Sequence, residues 1–493
     1  MALLNTTLGP ERVQVFDRPL GTVQLPGAST SVTAFLISTS FSGAPVNSPT
    51  RVTSLEEFET AFGGPDDILY EAYYALQGYF DNGGTGKTAI IVNVGTTPTA
   101  LSFVGSADDG SGLRALDPVD DVNLVCTPGL PLALAYLVHP ALIDYSETVR
   151  ADFGATLSTV FSLMAIPREI NNVETDVLTH TTLFVSQTGI GPYVVTVEDV
   201  LASGTADLST VIAGMLLQNS SGSISRQITA VDDGANTITL STDATPAFGA
   251  GDSLYLRKPS AITYKETVVN NPSRVAAWYF NNLIVLDRSE NADPGDLITV
   301  DPIGHVAGIM GRIDANIAIG GVSHAPAGIK YAGIAGIQGL SLSLSERIDA
   351  EPLRLNFINR LQSFPGSGNV VFGGYTAESG TTPVFTADEE LIQVMRSIQY
   401  IKGSLEVGLK GFLWENFSPE TQSAIERAIE SFLRNNIHLF PAGLSEAQQF
   451  RIIRVEPTQD ELDKGLLRVR LQVKPNKAVR FIEVALEFPL PIA

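Results

Sequence analysis

Residues 78–95 read GYFDNGGTGKTAIIVNVG, and the order of elements around this stretch decides the architecture. Within it, Asn82-Gly-Gly-Thr-Gly-Lys-Thr88 resembles a glycine-rich loop that cradles phosphates. That loop needs a glycine five residues before its second glycine, and Asp81 stands there. It also needs the order strand, loop, helix, so that a helix N-terminus faces the phosphates. Here the apolar spacing Leu69, Tyr73, Leu76 and Phe80 predicts a helix over 68–80 before the loop, and AIIVNV (89–94) predicts a buried strand after it. The helix end at the loop is therefore the negative one, and Gly83-Gly84 reads as a helix stop. Nucleotide binding is the minor reading and a C-cap with a turn the major one.

Working outward, SVTAFLIS (31–38) predicts a second buried strand. Thr53-Ser-Leu-Glu56 offers a capping box for a short helix, EEFETAFGG, stopped by Gly63 and Gly64. Further strands are expected in DVNLVCTPG (121–129) and FSLMAIP (161–167), with a helix near 145–160 between them. Val122 to Ile143 is free of charge, but Pro128, Gly129, Pro131, His139 and Pro140 argue against a spanning helix. A strand, a loop and a short helix are expected instead. Buried strands alternating with helices indicate an α/β body.

Residues 170–270 change character. They are rich in Thr, Ser, Gly and Val, with Asp-Gly and Gly-Asp turns between short strands, and read as an inserted, peripheral β-rich module dispensable for the core fold. The α/β pattern resumes at Arg274, passes a glycine-rich, loop-heavy stretch from Gly304 to Gly339, and reaches the strand NVVFGG (369–374). Thr386-Ala-Asp-Glu389 caps a helix carrying Leu391, Met395, Ile398 and Leu405; Ser418-Pro419 opens another with Ile425, Ile429, Phe432 and Leu433 on one face. Three strands follow, at 450–456, 466–473 and 479–488, and RVQVFDR (12–18) alternates like an exposed or edge strand.

The 493 residues suggest about three domains. Hydrophobic residues make up 44% and charged ones 17%, which excludes a disordered chain. With 31 basic and 53 acidic residues the net charge is -22, so nucleic acid and anionic lipid are not expected partners. The imbalance is uneven: residues 387–493 hold 13 basic and 15 acidic residues, and the first 386 hold 18 and 38. Within 464–480, Lys464, Arg468, Arg470, Lys474, Lys477 and Arg480 occur with no acid, inviting an acidic partner surface over a merely solvated strand. The start, MALLNTTLGPER, lacks the basic and apolar regions of a signal peptide.

No catalytic, cofactor or metal site is expected. A lone Cys126 forms no internal disulfide, five histidines are few for metal chemistry, and no G-x-S-x-G, H-E-x-x-H, C-x-x-C or EF-hand pattern occurs. His305 and His324 are placed in glycine-rich loops without an identifiable nucleophile, which favours a structural role. Asp108-Asp109, Asp120-Asp121 and Asp232-Asp233 read as turn residues.

Several blocks, in order, resemble the sheath family of contractile phage tails and contractile injection systems. They are Thr30–Phe35, SPTRVTSLEEFETAFGG (48–64), GYFDNGGTGKTAIIVNVG (78–95), LRALDPVDDVNLVCTPG (113–129), GHVAGIMGRID (304–314), HAPAG (324–328), LNFINRLQSFPGSGNVVFGG (355–374), and Tyr400 through the helix SAIERAIESFLRNN to the end. The resemblance covers all but 170–270. Asn93 stands where Arg is usual, Pro10-Glu-Arg-Val13 departs from the family's opening, and Ile319-Gly-Gly-Val322 replaces a segment that more often contains Trp.

The resemblance implies a multidomain α/β (α+β) chain: an N-terminal arm (1–25), a subtilisin-like α/β central domain in two parts (26–169 and 271–386) around the β-rich module (170–270), an α+β C-terminal domain facing an inner tube (387–478), and a C-terminal arm strand (479–493). It implies no enzyme, no cofactor and no direct membrane insertion. Its partners would be copies of itself in six-fold rings, the inner tube protein, and baseplate and tail terminator proteins. The particle would be a virion tail or a cytoplasmically assembled injection machine. Val13 and Val15, with Ile482, Val484 and Leu486, are the expected inter-subunit strand residues. Glu426, Arg427, Glu430, Arg434, Arg468, Arg470 and Lys474 are the expected electrostatic contacts to neighbouring subunits or the tube. A capsid or surface-layer protein is the structural alternative, and an NTPase the enzymatic one.

Overall fold

In the computed structural model, TAFLIST forms strand β1 (Thr33–Thr39), buried at all seven positions. The structure describes residues 25–480 apart from 70, 84–86, 151–157, 189–193, 200–207, 209–210, 220–224, 233–234, 236, 241–252, 417, 455–457 and 460–465. After β1 come β2 (Thr50–Val52), helix α1 (Leu55–Phe62), β3 (Ile68–Leu69), helix α2 (Ala72–Gly83) and β4 (Ala89–Asn93). Helix α3 (Ala100–Val104), β5 (Leu124–Cys126), helix α4 (Leu132–Asp144) and β6 (Phe161–Ala165) follow. Then β7 (Val177–Thr188), β8 (Val194–Asp199), β9 (Leu216–Asn219), β10 (Ser225–Asp232), β11 (Thr237–Leu240) and β12 (Ser253–Lys258) close a barrel in the order β10-β11-β8-β7-β12-β9. The chain returns through β13 (Ala276–Phe280), β14 (Leu283–Leu286), β15 (Leu297–Val300), helix α5 (Ile303–Asp314), β16 (Gly339–Leu340), β17 (Ile358–Phe364) and β18 (Gly368–Phe372). Helices α6 (Ile392–Leu409) and α7 (Pro419–Asn435) precede an antiparallel pair, β19 (Phe450–Arg454) and β20 (Val469–Val473).

The main sheet has the order β18-β17-β13-β6-β5-β1-β4-β2. Its six inner strands, β17 to β4, run parallel, and antiparallel β18 and β2 close the edges. Alternation along each strand sends side chains to two separate cores. Ala34 and Leu36 of β1 join Ile90, Val92, Val125 and Trp278 against α3 and α4. Phe35 and Ile37 join Ile91, Cys126, Leu163 and Tyr279 against α1, α2 and α5. Burial on both faces explains why these strands read as unbroken apolar runs.

Several boundaries differ from the sequence reading. The helix expected over 68–80 begins at Ala72, because Ile68 and Leu69 pair with β1 and Glu71 takes a left-handed φ of 64°. The first cap is Ser54, whose hydroxyl accepts the Glu57 N–H, while the Glu57 carboxylate accepts from Thr53; the box is displaced by one residue. At 386–389 the Thr386 N–H does donate to Glu389, but the helix starts at Ile392. The helix expected near 145–160 is a π turn, Tyr145–Val149, continuing α4; residues 151–157 lie outside the described residues. Residues 303–314 are helix, not loop, and this places His305 inside α5. The glycines there allow contact with α2: a Cβ on Gly304 would lie 1.9 Å from the Ala75 carbonyl oxygen, and one on Gly308 2.5 Å from that of Tyr79.

Contacts divide the chain into two units. Among the described residues, one comprises Ala28–Gly403, His438–Leu444 and 474–480; the other comprises Ser404–Ile437 and Ser445–Val473 with 25–27. The barrel belongs to the first unit and packs against its sheet. Leu217, Ile228, Leu254 and Leu256 join the core cluster of the sheet, and Tyr136 of α4 donates to the Thr229 carbonyl. Cutting it out would therefore uncover apolar surface on α4. RVQVFDR (12–18) and most of the strand expected at 479–488 lie outside the described residues.

Candidate functional site

A parallel sheet of this kind holds ligands beyond the carboxyl ends of its strands, where the strand order reverses. The reversal falls between β1 and β5, since β4 and β5 flank β1. Beyond β5 and β6, however, the crevice is filled. Only about 10 Å³ remains among Thr127, Gly129, Arg168, Glu71 and Asp301. Asp301 accepts N–H bonds from Gly129 and Ile303, the latter at 3.0 Å. Glu71 pairs with Arg168 and accepts the Asp301 N–H, which gives its left-handed backbone a reason to persist. Burial pushes the Asp301 carboxyl up to about 6, while its N–H donors and Arg168 pull it down. The remaining space is that of a single water, not a substrate.

Lys87, the residue that a phosphate loop would aim at its ligand, points into the body. Its Nζ donates to the Gly311 carbonyl in the last turn of α5 at 2.7 Å and to Ser31 Oγ at 3.1 Å. A cation at a helix C-terminus is favourable, so the lysine acts as a cap. Burial lowers its pKa, and nearby Asp314 partly offsets that. Beside it Arg396 forks onto Asp314 at 2.9 and 2.6 Å, with both side chains buried. These contacts join β1's approach, α5 and α6, and leave no free cation for a phosphate at this loop among the described residues.

Neither histidine weighed as a base has a catalytic setting. His305 is buried, its Nδ1 has no partner among the described residues, and burial lowers its pKa to about 4. His324 Nδ1 contacts the Ala325 carbonyl at 2.7 Å, and its ring meets Tyr331 edge-on. Among the described residues no cluster of three His, Cys, Asp or Glu side chains is arranged for a metal, and no helix is long and apolar enough to cross a membrane.

The surfaces of the second unit carry the charged residues singled out in the sequence. Ser418 caps α7 by accepting the Thr421 N–H, Pro419 occupies the first turn, and Ala428, Ile429, Phe432 and Leu433 are buried. Glu426 is half-buried; Arg427 is exposed, its Nε donating to the Ser423 carbonyl. Arg434 pairs with Glu430 at 2.8 Å and forks onto Glu446 at 2.9 and 3.1 Å. Glu430 and Arg434 are thus engaged within their own unit. On β20, Arg470 and Gln472 alternate outward, and exposed Arg468 precedes them. Gln472 pairs in register with Arg451 of β19, which adds an exposed arginine to the same face. Sequence reasoning missed Arg451 because only the strand register assigns it a face.

The basic run does not stay together. Lys474 is exposed just after β20, whereas Lys477 and Arg480 pair with Asp388 and Glu390 of the same chain. Val13, Val15, Ile482, Val484 and Leu486 lie outside the described residues.

The crevice at the strand ends is thus filled, the phosphate-loop lysine is held within the fold, and a basic strand faces outward on an α/β protein. Its fold is that of contractile sheath proteins. The chain aligns over 97% of its length with 99% of a chain from the anti-feeding prophage helical sheath in its contracted state, with a TM-score of 0.59 and 17% identity. It aligns over 98% with 98% of a chain from the contracted PVC sheath complex, an extracellular contractile injection system, at TM-score 0.59 and 15% identity. A chain of the contracted anti-feeding prophage baseplate matches over the full length of both, at TM-score 0.61 and 16% identity. No protein-family model and no curated protein matches the chain, so the likeness is one of fold.

Proposed function

We propose that this chain is the subunit of a contractile sheath, which polymerises in six-fold rings around an inner tube and drives it through a target envelope. The observation that carries this reading is a near full-length fold match to chains of contracted sheaths. Baseplate and terminator proteins would bound the polymer, and no nucleotide would be consumed. The second unit would face the tube. The parallel sheet covered by helices on both faces supports a subtilisin-like body, without the protease chemistry. Negative-stain microscopy of the expressed protein tests the reading: hollow cogwheel tubes are expected, and shells or flat sheets would favour a capsid or surface-layer protein instead.

Two assembly predictions belong to this reading. Deleting residues 1–18 or 479–493 is expected to leave a folded monomer that forms no tubes, since the arms would add strands to neighbouring sheets. Normal polymerisation of either truncation, seen by sedimentation, would remove the lacing.

Reversing Arg468 and Arg470 to Glu acts on the exposed strand face and is expected to weaken assembly with little change in monomer stability. Each exposed pair contributes only ~0–1 kcal/mol, so the effect must come from repetition along the lattice and should fade in high salt. Wild-type assembly by this variant at low salt would eliminate the electrostatic contribution.

A further inference from the structure

The loop between α6 and α7 carries a tryptophan that nothing among the described residues covers. Trp414 is fully exposed (102%), and Leu413 beside it is 66% exposed. Trp414 is held out at a left-handed φ of 71°, an uncommon conformation for a bulky residue. Glu415, also exposed, follows it. Exposed tryptophan is the side chain most often found as the anchor of a protein interface.

A complementary hollow lies in the first unit. A cavity of about 340 Å³ opens among Ala325, Ala350, Phe372, Tyr375 and Leu391. Gln393 lines it, is 1% exposed, and neither atom of its amide has a hydrogen-bond partner among the described residues. A buried amide left unpaired is costly, so the site is incomplete as it stands. Arg360, also in the lining, lies 4.8 Å over the Phe372 ring and holds Gln362 through Nε at 2.7 Å. Arg354, paired with Glu351, and Arg480, paired with Glu390, also line the wall, with Glu346 beside them.

We infer that Trp414 of one copy of this chain seats in the Gln393 cavity of another. The chemistry matches group by group. An indole offers one N–H donor, and the Gln393 oxygen offers an unmatched acceptor. Its ring would lie among Phe372, Tyr375 and the Arg360 guanidinium, a favourable aromatic and cation–π setting. Because knob and hole are different patches of one chain, the contact is heterologous, and it propagates into a ring or an open helix. The inference rests on the self-assembly proposed above and names one contact within it.

The test uses the full chain with two separate variants, Trp414→Cys and Ala327→Cys, the latter in the cavity lining, mixed before assembly and oxidised. Native Cys126 is fully buried and does not compete. A covalent dimer is expected in the assembled mixture and in neither variant alone. Trp414→Ala should raise the concentration needed for tubes by about tenfold or more, and Trp414→Phe by less. Tubes that give no cross-link in the mixture would overturn the contact, as would a chain carrying both cysteines that closes only on itself. If the wild-type chain makes no tubes at all, the sheath reading fails. The same oxidation at high protein concentration then decides the contact independently: a dimer upholds it and a lack of dimer rejects it.

Discussion

Gly304→Ala is expected to destabilise the body by about 3 kcal/mol, although the same change elsewhere in a helix is stabilising. The added methyl would sit 1.9 Å from the Ala75 carbonyl oxygen, which is backbone and has no rotamer to escape into. Four residues on, a Cβ on Gly308 would meet the Tyr79 carbonyl oxygen at 2.5 Å, so sliding α5 along α2 relieves nothing. From the other side, a Cβ on Gly78 would meet the His305 ring at 2.2 Å. Gly403 in α6 is the control. A methyl there meets Ala28 and Thr159 at 3.4 and 3.6 Å, an ordinary contact, and should stabilise by up to about 1 kcal/mol. Denaturant unfolding of both variants checks the contrast. Equal effects at Gly304 and Gly403 would show that α2 and α5 do not touch through their backbones.

That interface also marks where the sequence misled. Gly304, Gly308 and Gly311 read as loop because glycine usually punctuates a chain. The i, i+4 spacing of Gly304 and Gly308 was the available signal: small residues four apart let two helices approach closely. The strands were legible for a simpler reason. Burial on both faces forces continuous apolar runs such as AFLI and AIIV, whatever their neighbours. The order β4-β1-β5 was not legible, since it depends on which strands meet across tens of residues. Glu71 shows the same limit on a smaller scale. Nothing local announces a left-handed glutamate; its partner Arg168 lies 97 residues away.

The surfaces were legible in kind and not in detail. Counting charges located a basic C-terminal strand, and β20 does present Arg470 outward. Counting did not reveal that Lys477 and Arg480 are paired with acids 89 and 90 residues earlier, or that Arg451 joins the basic face through strand register. The phosphate-loop lysine is the clearest case of a motif explained by packing. Its sequence neighbourhood suggests a ligand, and its geometry supplies one from within, the Gly311 carbonyl. Trp414 and Gln393 carry no local pattern at all; exposure and lack of a partner appear only after folding.

Acid is expected to weaken the body through its buried histidines. Burial lowers His305 to about 4 and His139 to about 3, from an ordinary value of 6.5. His139 keeps a bond to the Tyr264 hydroxyl at 2.9 Å and packs on Trp278, so protonation would disturb both. For a base with a depressed folded pKa, the unfolded chain binds the proton first. The stability is complete above 6.5 and is lost as pH falls toward 4. At pH 4.5 the two histidines together contribute a loss of about 5 kcal/mol. Asp301 acts in the opposite direction. Its folded pKa of about 6 stands above the ordinary 3.8, so its share of stability is full below 3.8 and declines as pH rises through 6. That returns about 2 kcal/mol on acidification, leaving a net loss of about 3 between pH 7 and 4.5. Replacing His305 by Met should nearly abolish the slope. The ring's Nδ1 has no partner among the described residues to leave behind, and an unbranched thioether can lie over Gly78. Unfolding free energies of the dispersed protein and of His305→Met at the two pH values decide the matter; an unchanged slope in the variant would show that His305 is not the titrating group.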